Sequence, residues 1–203
     1  MISTFDMFKI GVGPSSSHTV GPMNAGKSFI DELVAEALLA QTTRLTVDLY
    51  GSLSLTGKGH ATDVAVIMGL AGNRPESVDI DAMQPFIRAV ERSGLLSVAQ
   101  GDAEVPFSLN DDVIFHNQAL PRHENGMRFT AYSKAGILLS RTYYSIGGGF
   151  IVEESKFGQE FEVEQPVPYP FHSASELMAQ CKEHGLSISG LMMQNELALR
   201  SQS

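Results

Sequence analysis

Helical and extended spacings of apolar residues alternate between residues 22 and 152, which confines the chain to a mixed α/β or α+β fold. Residues 22–39 place Met23, Phe29, Ile30, Leu33, Val34, Ala37 and Leu38 at helical intervals. Arg44 to Tyr50 then alternates as a strand, with Leu45, Val47 and Leu49 on one face. Gly57-Lys58-Gly59-His60 reads as a turn, and Ala61 to Leu70 as a strongly apolar, buried helix. Asp79 or Asp81 caps a third helix that runs to about Ser93. From Leu95 to Val152 the pattern is mostly extended. Glu104–Leu109, Val113–Phe115, Met127–Tyr132 and Gly136–Tyr144 are the strand candidates. The expectation is one domain over residues 1–164 with a mixed sheet and packed helices.

Beyond residue 155 the character changes. Gln165-Pro166-Val167-Pro168-Tyr169-Pro170 reads as an extended linker, 165–172. Ser173 with Glu176 three residues later forms a capping box, and Gly185 ends that helix. A last helix runs from about Ser187 to Arg200 without a stop signal. Two helices after a proline-rich linker imply that 173–203 begins a further, truncated domain of a longer protein.

The formal net charge of −9 argues against nucleic acid or an anionic membrane surface as partner. One cysteine, Cys181, excludes an internal disulfide framework and suits a cytoplasmic setting. The opening residues lack the basic start and apolar run of a signal peptide, and no apolar stretch is long enough to cross a bilayer.

Four short segments carry polar groups that core packing does not require. The first is Gly13-Pro14-Ser15-Ser16-Ser17-His18-Thr19-Val20-Gly21-Pro22, a hydroxyl-rich loop suited to a small anion such as a carboxylate. Its plain alternative is a serine-rich surface loop. The second, Gly51 to Asp63, sets His60 after a glycine turn at the mouth of the apolar helix. There the helix start favours the neutral imidazole that a general base needs; alternatively, His60 only caps the helix. The third, Leu120 to Met127, holds His123 and an Asn125-Gly126 hairpin signal. The fourth, Tyr143 to Phe150, ends a strand in Gly147-Gly148-Gly149, whose amides can cradle an anion or simply form a bulge. His116, His172 and His184 read as surface residues. Gly21 to Ser28 also fits the P-loop pattern G-x-x-x-x-G-K-[ST]. The polar run 14–20 cannot supply the buried strand that motif needs, and Lys27 falls on the second turn of a helix. Phosphate bound at this helix start without nucleotide chemistry is an open alternative.

In this order the segments resemble the N-terminal β domain of the iron–sulfur L-serine dehydratases, in their single-chain bacterial form. The matching stretches are Phe5-Asp6-Met7-Phe8 through GVGPSSSHTVGPM, YGSLSLTGKGHATD, LPRHENGMRF, YYSIGGGFIVEE, the VPYPF linker and LSISGLMMQNELALR, nearly the whole chain. The resemblance implies β-elimination of water from L-serine, giving pyruvate and ammonia. It implies a [4Fe–4S] cluster acting as Lewis acid, no pyridoxal phosphate, and His60 as the base that takes the α-proton. Ser15, Ser16, Ser17, His18 and Thr19 would hold the carboxylate or face the cluster. His123 and Asn125 would line the same cleft, and Ser145, Gly147 and Gly148 would close it. The cluster cysteines belong, in the family, to a C-terminal α domain, so Cys181 is a structural thiol and the chain alone should be inactive. A homodimer is compatible with the resemblance but not shown by composition.

Three alternatives stand beside this. The domain also resembles a small-molecule-binding domain of some phosphoglycerate dehydrogenases, so it could be a regulatory serine-binding module. A pyridoxal-dependent dehydratase would need a Schiff-base lysine, for which only the glycine-flanked Lys58 offers itself. A nucleotide-binding P-loop would depend on Lys27.

Overall fold

The computed structural model describes residues 11–158 and 167–200, which belong to two compact units. The stretch Phe5-Asp6-Met7-Phe8 and the linker residues Gln165-Pro166 lie outside the described residues.

The first unit is a mixed α/β fold. Its five-stranded sheet has the order β4-β1-β5-β6-β7. The strands are β1 (Arg44–Leu49), β4 (Val113–Phe115), β5 (Gly126–Ser133), β6 (Gly136–Gly147) and β7 (Phe150–Glu153). β1 and β4 run parallel, and every other pair is antiparallel. A parallel pair needs a long crossover. Here it contains three helices, a separate hairpin, β2 (Leu95–Val98) with β3 (Ala103–Pro106), and a fourth, short helix just before β4. The helices are α2 (Ser52–Leu55), α3 (Thr62–Leu70) and α4 (Ile80–Ser93); α1 (Gly21–Ala35) precedes β1, and a short α5 (Leu109–Asp112) leads into β4.

The expected alternation in β1 is realised: Leu45, Val47 and Leu49 are buried in one core with Met127, Phe129 and Ala131 of β5. Phe29 of α1 stacks on Phe129, and Tyr143 meets Phe129 edge-on, a favoured aromatic geometry. Asp79 caps α4 by accepting from Asp81 and Ala82 N–H, and Gly94 ends the helix in the left-handed region. α3 is apolar nearly all round because it is buried nearly all round.

The contact between α1 and α3 explains the P-loop look-alike. Gly26 faces the backbone of α3, where an added Cβ would lie 2.7 Å from the Val66 oxygen. Gly69 faces the Met23 carbonyl still more closely. The two glycines let the helix backbones touch. Gly21 to Ser28 is helical throughout, and Lys27 bonds Asp31 one turn on.

Several local expectations shift. α1 ends at Ala35 rather than near residue 39, since Ala37 takes a positive φ of 55°. The 104–109 strand spans only Ala103–Pro106, because Phe107 N–H turns to the Gly94 carbonyl. Asn125-Gly126 is no hairpin turn. Gly126 already belongs to β5, where a side chain would collide with Leu120. The β5–β6 turn is instead Lys134-Ala135.

In the second unit, α6 (Ala174–His184) is capped by Ser173, which accepts from Glu176 N–H; Gly185 closes it at φ 64°. The Glu176 carboxylate accepts from His172 N–H, one residue before the cap. α7 (Ile188–Arg200) buries Leu191, and α6 buries Cys181. The described part of the proline-rich segment is not a free linker: the Asn195 amide accepts from Tyr169 N–H at 2.9 Å and donates to its carbonyl at 2.8 Å.

Gly26→Val should therefore lower unfolding stability by about 1–3 kcal/mol through overpacking. Lys27→Ala, which removes one surface ion pair, should stay within about 0.5 kcal/mol. Urea denaturation of the two variants checks both.

Candidate active site

The four polar segments, distant in sequence, form a closed ring in space. Ser15 opens a single π-turn, Ser16–Val20, and its hydroxyl accepts from His18 N–H. That turn runs directly into α1. His18 is held at both nitrogens: Nδ1 lies 2.9 Å from Ser17 Oγ and Nε2 2.9 Å from Ser52 Oγ. The His18 and His60 rings face each other with centroids 5.0 Å apart. A reciprocal exchange fixes that approach. Thr19 Oγ1 donates to the His60 carbonyl at 2.9 Å, and Thr62 Oγ1 donates to the His18 carbonyl at 2.6 Å.

Both threonines are buried, and the Thr19 hydroxyl also accepts from Ser15 N–H at 3.3 Å. Ser16 is exposed, while Ser15, Ser17 and both histidines are half-buried. His60 does not cap α3. It closes a 3-10 turn, Gly57–His60, before a left-handed Ala61. Its Nδ1 donates to the Thr56 carbonyl at 3.0 Å, which leaves the Nε2 lone pair free in the neutral ring. The His18 pKa lies below its ordinary 6.5, first because burial disfavours the charge and next because His60 faces it.

The second segment is tied to the third by backbone rungs. Tyr50 N–H donates to Gly126 O, Gly51 N–H to Gln118 O and Ser52 N–H to Glu124 O, each at 3.0 Å. Gly51 has φ 54°, and a side chain there would run into the Glu124 carbonyl. In the third segment His123 Nδ1 accepts from Asn125 N–H at 3.0 Å, so a neutral His123 carries its proton on Nε2.

Asn125 joins the third segment to the fourth. Its Nδ2 donates to Ser145 O at 3.1 Å, and Ser145 N–H donates to Asn125 O at 3.0 Å. Ser145 Oγ and Asn125 Oδ1 are both buried without a hydrogen-bond partner. Such orphaned atoms in a native fold call for a reason, and unfilled binding capacity is one. The fourth segment returns to the first, because Ser145 presses on Gly21 and Asn24 donates to Gly149 O. Gly147, Gly148 and Gly149 all take positive φ and build the β6–β7 hairpin, with Gly147 opposite Phe150. Chain reversal alone accounts for those glycines.

Ser52, Thr62 and Gly21 are site-building residues that motif reading did not single out. Ser52 lies inside the quoted glycine–serine stretch, but its partner is 34 residues away. Lys58, the Schiff-base alternative, lies over the Phe115 ring, 5.2 Å from its centroid. Among the described residues, no three His, Cys, Asp or Glu side chains are grouped to hold a metal ion. No helix among them is long and apolar enough to cross a membrane.

A family model described as "Serine dehydratase beta chain" matches residues 3–156. The chain is 66% identical over 203 residues to L-serine dehydratase TdcG of Escherichia coli, covering all of this chain and 45% of the relative. It is 52% identical over 200 residues to an L-serine dehydratase of Haemophilus influenzae, covering 98% of this chain and 44% of the relative. A Helicobacter pylori L-serine dehydratase is 39% identical over 202 residues. The chain thus spans less than half the length of these relatives.

Two outcomes are expected. Ser145→Ala, although fully buried, should leave stability unchanged or raise it by up to about 1 kcal/mol, since the lost hydroxyl has no partner. His18 takes up a proton less readily when folded than when unfolded. Its contribution is therefore intact above its ordinary 6.5 and is lost as pH falls below it. Denaturant midpoints at about pH 5.5 and pH 7.5 should differ in that sense, and by less in His18→Gln.

Proposed function

The chain belongs to the serine dehydratase beta-chain family, and we propose that it supplies the base and substrate cradle of an L-serine dehydratase. The reaction is loss of water from L-serine, followed by hydrolysis of the aminoacrylate to pyruvate and ammonia. The observation that carries this reading is the ring of four segments around the facing His18 and His60.

His60 suits the base. The Thr56 carbonyl orients the ring and keeps the proton on Nδ1, so Nε2 can accept the α-proton. The lowered pKa of His18 keeps it neutral near pH 7, so it does not repel the cation that His60 becomes. In this reading His123 offers an Nε2–H donor to a carboxylate, and the hydroxyls of Ser15, Ser16 and Ser17 offer further ones. The unpaired Ser145 Oγ and Asn125 Oδ1 give this cradle buried polar capacity that bound substrate could use. In this reading the Gly147 and Gly148 amides close the cradle.

An iron–sulfur cluster finds no ligand set in this chain. Such clusters take several thiolates, and the chain has one cysteine, buried in the helical unit. In this proposal the cluster belongs to the remaining half of the longer protein, which is also the partner without which the β domain is inactive. The proton transfer at His60 and the holding of the carboxylate are the work of this chain's own side chains. The setting we propose is cytoplasmic, with no pyridoxal phosphate, and a homodimer fits the same reading.

The test uses the full-length protein under anaerobic conditions. His60→Ala should lower kcat for serine about 10²- to 10⁴-fold while the cluster absorbance is retained. Near-normal activity in that variant would remove His60 from the role of base.

A further inference from the structure

Where β1 and β4 leave the sheet, a histidine–aspartate hydrogen bond sits beneath the two loops that carry half of the candidate site. His116 Nε2 lies 2.6 Å from Asp48 Oδ1, and its ring is stacked on Tyr50 at 4.4 Å with only 7° between planes. The side chains are 29% and 18% exposed, so His116 lies partly at the surface but with fixed partners. Its backbone N–H donates to Leu49 O at 2.9 Å. One residue thus ties the start of the 116–126 loop to β1 by backbone, ring and imidazole together.

The consequences reach the site by short steps. Directly above Tyr50 come the rungs from Gly51 to Gln118 and from Ser52 to Glu124. Ser52 carries the hydroxyl bonded to His18, and the far end of the loop carries His123 and Asn125. We infer that the Asp48–His116 pair, stacked on Tyr50, is a positioning clamp that sets the 116–126 loop, and with it His123 and Asn125, against the substrate site. Neither residue touches the substrate. A flat ring and a directed N–H are both used, which is why a histidine serves and a purely apolar or purely charged side chain does not. His60 is held independently, by Thr56 and Thr19, so the clamp governs the holding of substrate more than proton transfer.

This rests on the proposed serine dehydration, and the test separates the two. In the full-length protein, His116→Phe keeps the stack and loses the bond to Asp48; Asp48→Asn keeps the shape and loses the charge. Each should raise KM for serine about tenfold with kcat within about threefold, and the double variant should be no worse than either one. Amide hydrogen exchange should quicken about tenfold at residues 50–52 and 116–126 and stay unchanged in α4. Unchanged exchange in the loop, or exchange quickened equally in α4 with a lowered Tm, overturns the clamp, as does an unchanged KM in an active enzyme. A wild-type protein that does not dehydrate serine overturns the proposed function, and the exchange result then decides the clamp by itself.

Discussion

The reciprocal bonds from Thr19 to the His60 carbonyl and from Thr62 to the His18 carbonyl are the constraint on which the site depends. Each threonine is buried and lies close in sequence to one histidine, yet it holds the backbone of the other. Two buried, satisfied hydroxyl–carbonyl bonds leave the imidazoles little freedom to separate. The exchange is possible only because α1 and α3 meet backbone to backbone at Gly26 and Gly69. A larger residue at either position would part the helix starts from which both histidines project.

The rest of the fold closes the ring from the sheet side. β1 ends at the segment that bears Ser52 and His60, the loop after β4 bears His123 and Asn125, and β6 carries Ser145 near its end. The parallel β1–β4 pairing brings the exits of two strands to the same edge, where one loop can be stitched to the other through Tyr50, Gly51 and Ser52. Asn125 and Ser145 then clasp each other while each keeps one buried polar atom unpaired. Among the described residues, these two are the buried side-chain atoms left without a partner, and they lie at one place.

Much of this was legible in the chain where the signal is local. The alternation of Leu45, Val47 and Leu49 located β1, the caps Asp79 and Ser173 located two helix starts, and Gly185 located a helix end. The four polar segments stood out because nothing in core packing calls for them. Failures came where a local signal has a tertiary owner. Gly26-Lys27-Ser28 imitates a phosphate loop, but its glycine serves a helix crossing. Asn125-Gly126 imitates a hairpin, but Asn125 is claimed by Ser145 and Gly126 by Leu120. His116 has no motif around it, since Asp48 lies 68 residues away.

By itself the sequence determined the fold class, most element positions and the four polar segments of the candidate site, because propensity, capping and periodicity act over a few residues. Only the tertiary structure decided that those segments meet. It also decided that the Thr19 hydroxyl is committed to the His60 carbonyl and that His116 is anchored to Asp48. Those outcomes depend on hydrogen bonds between residues 20 to 125 positions apart, and no pattern along the chain records which distant partner a polar group will find.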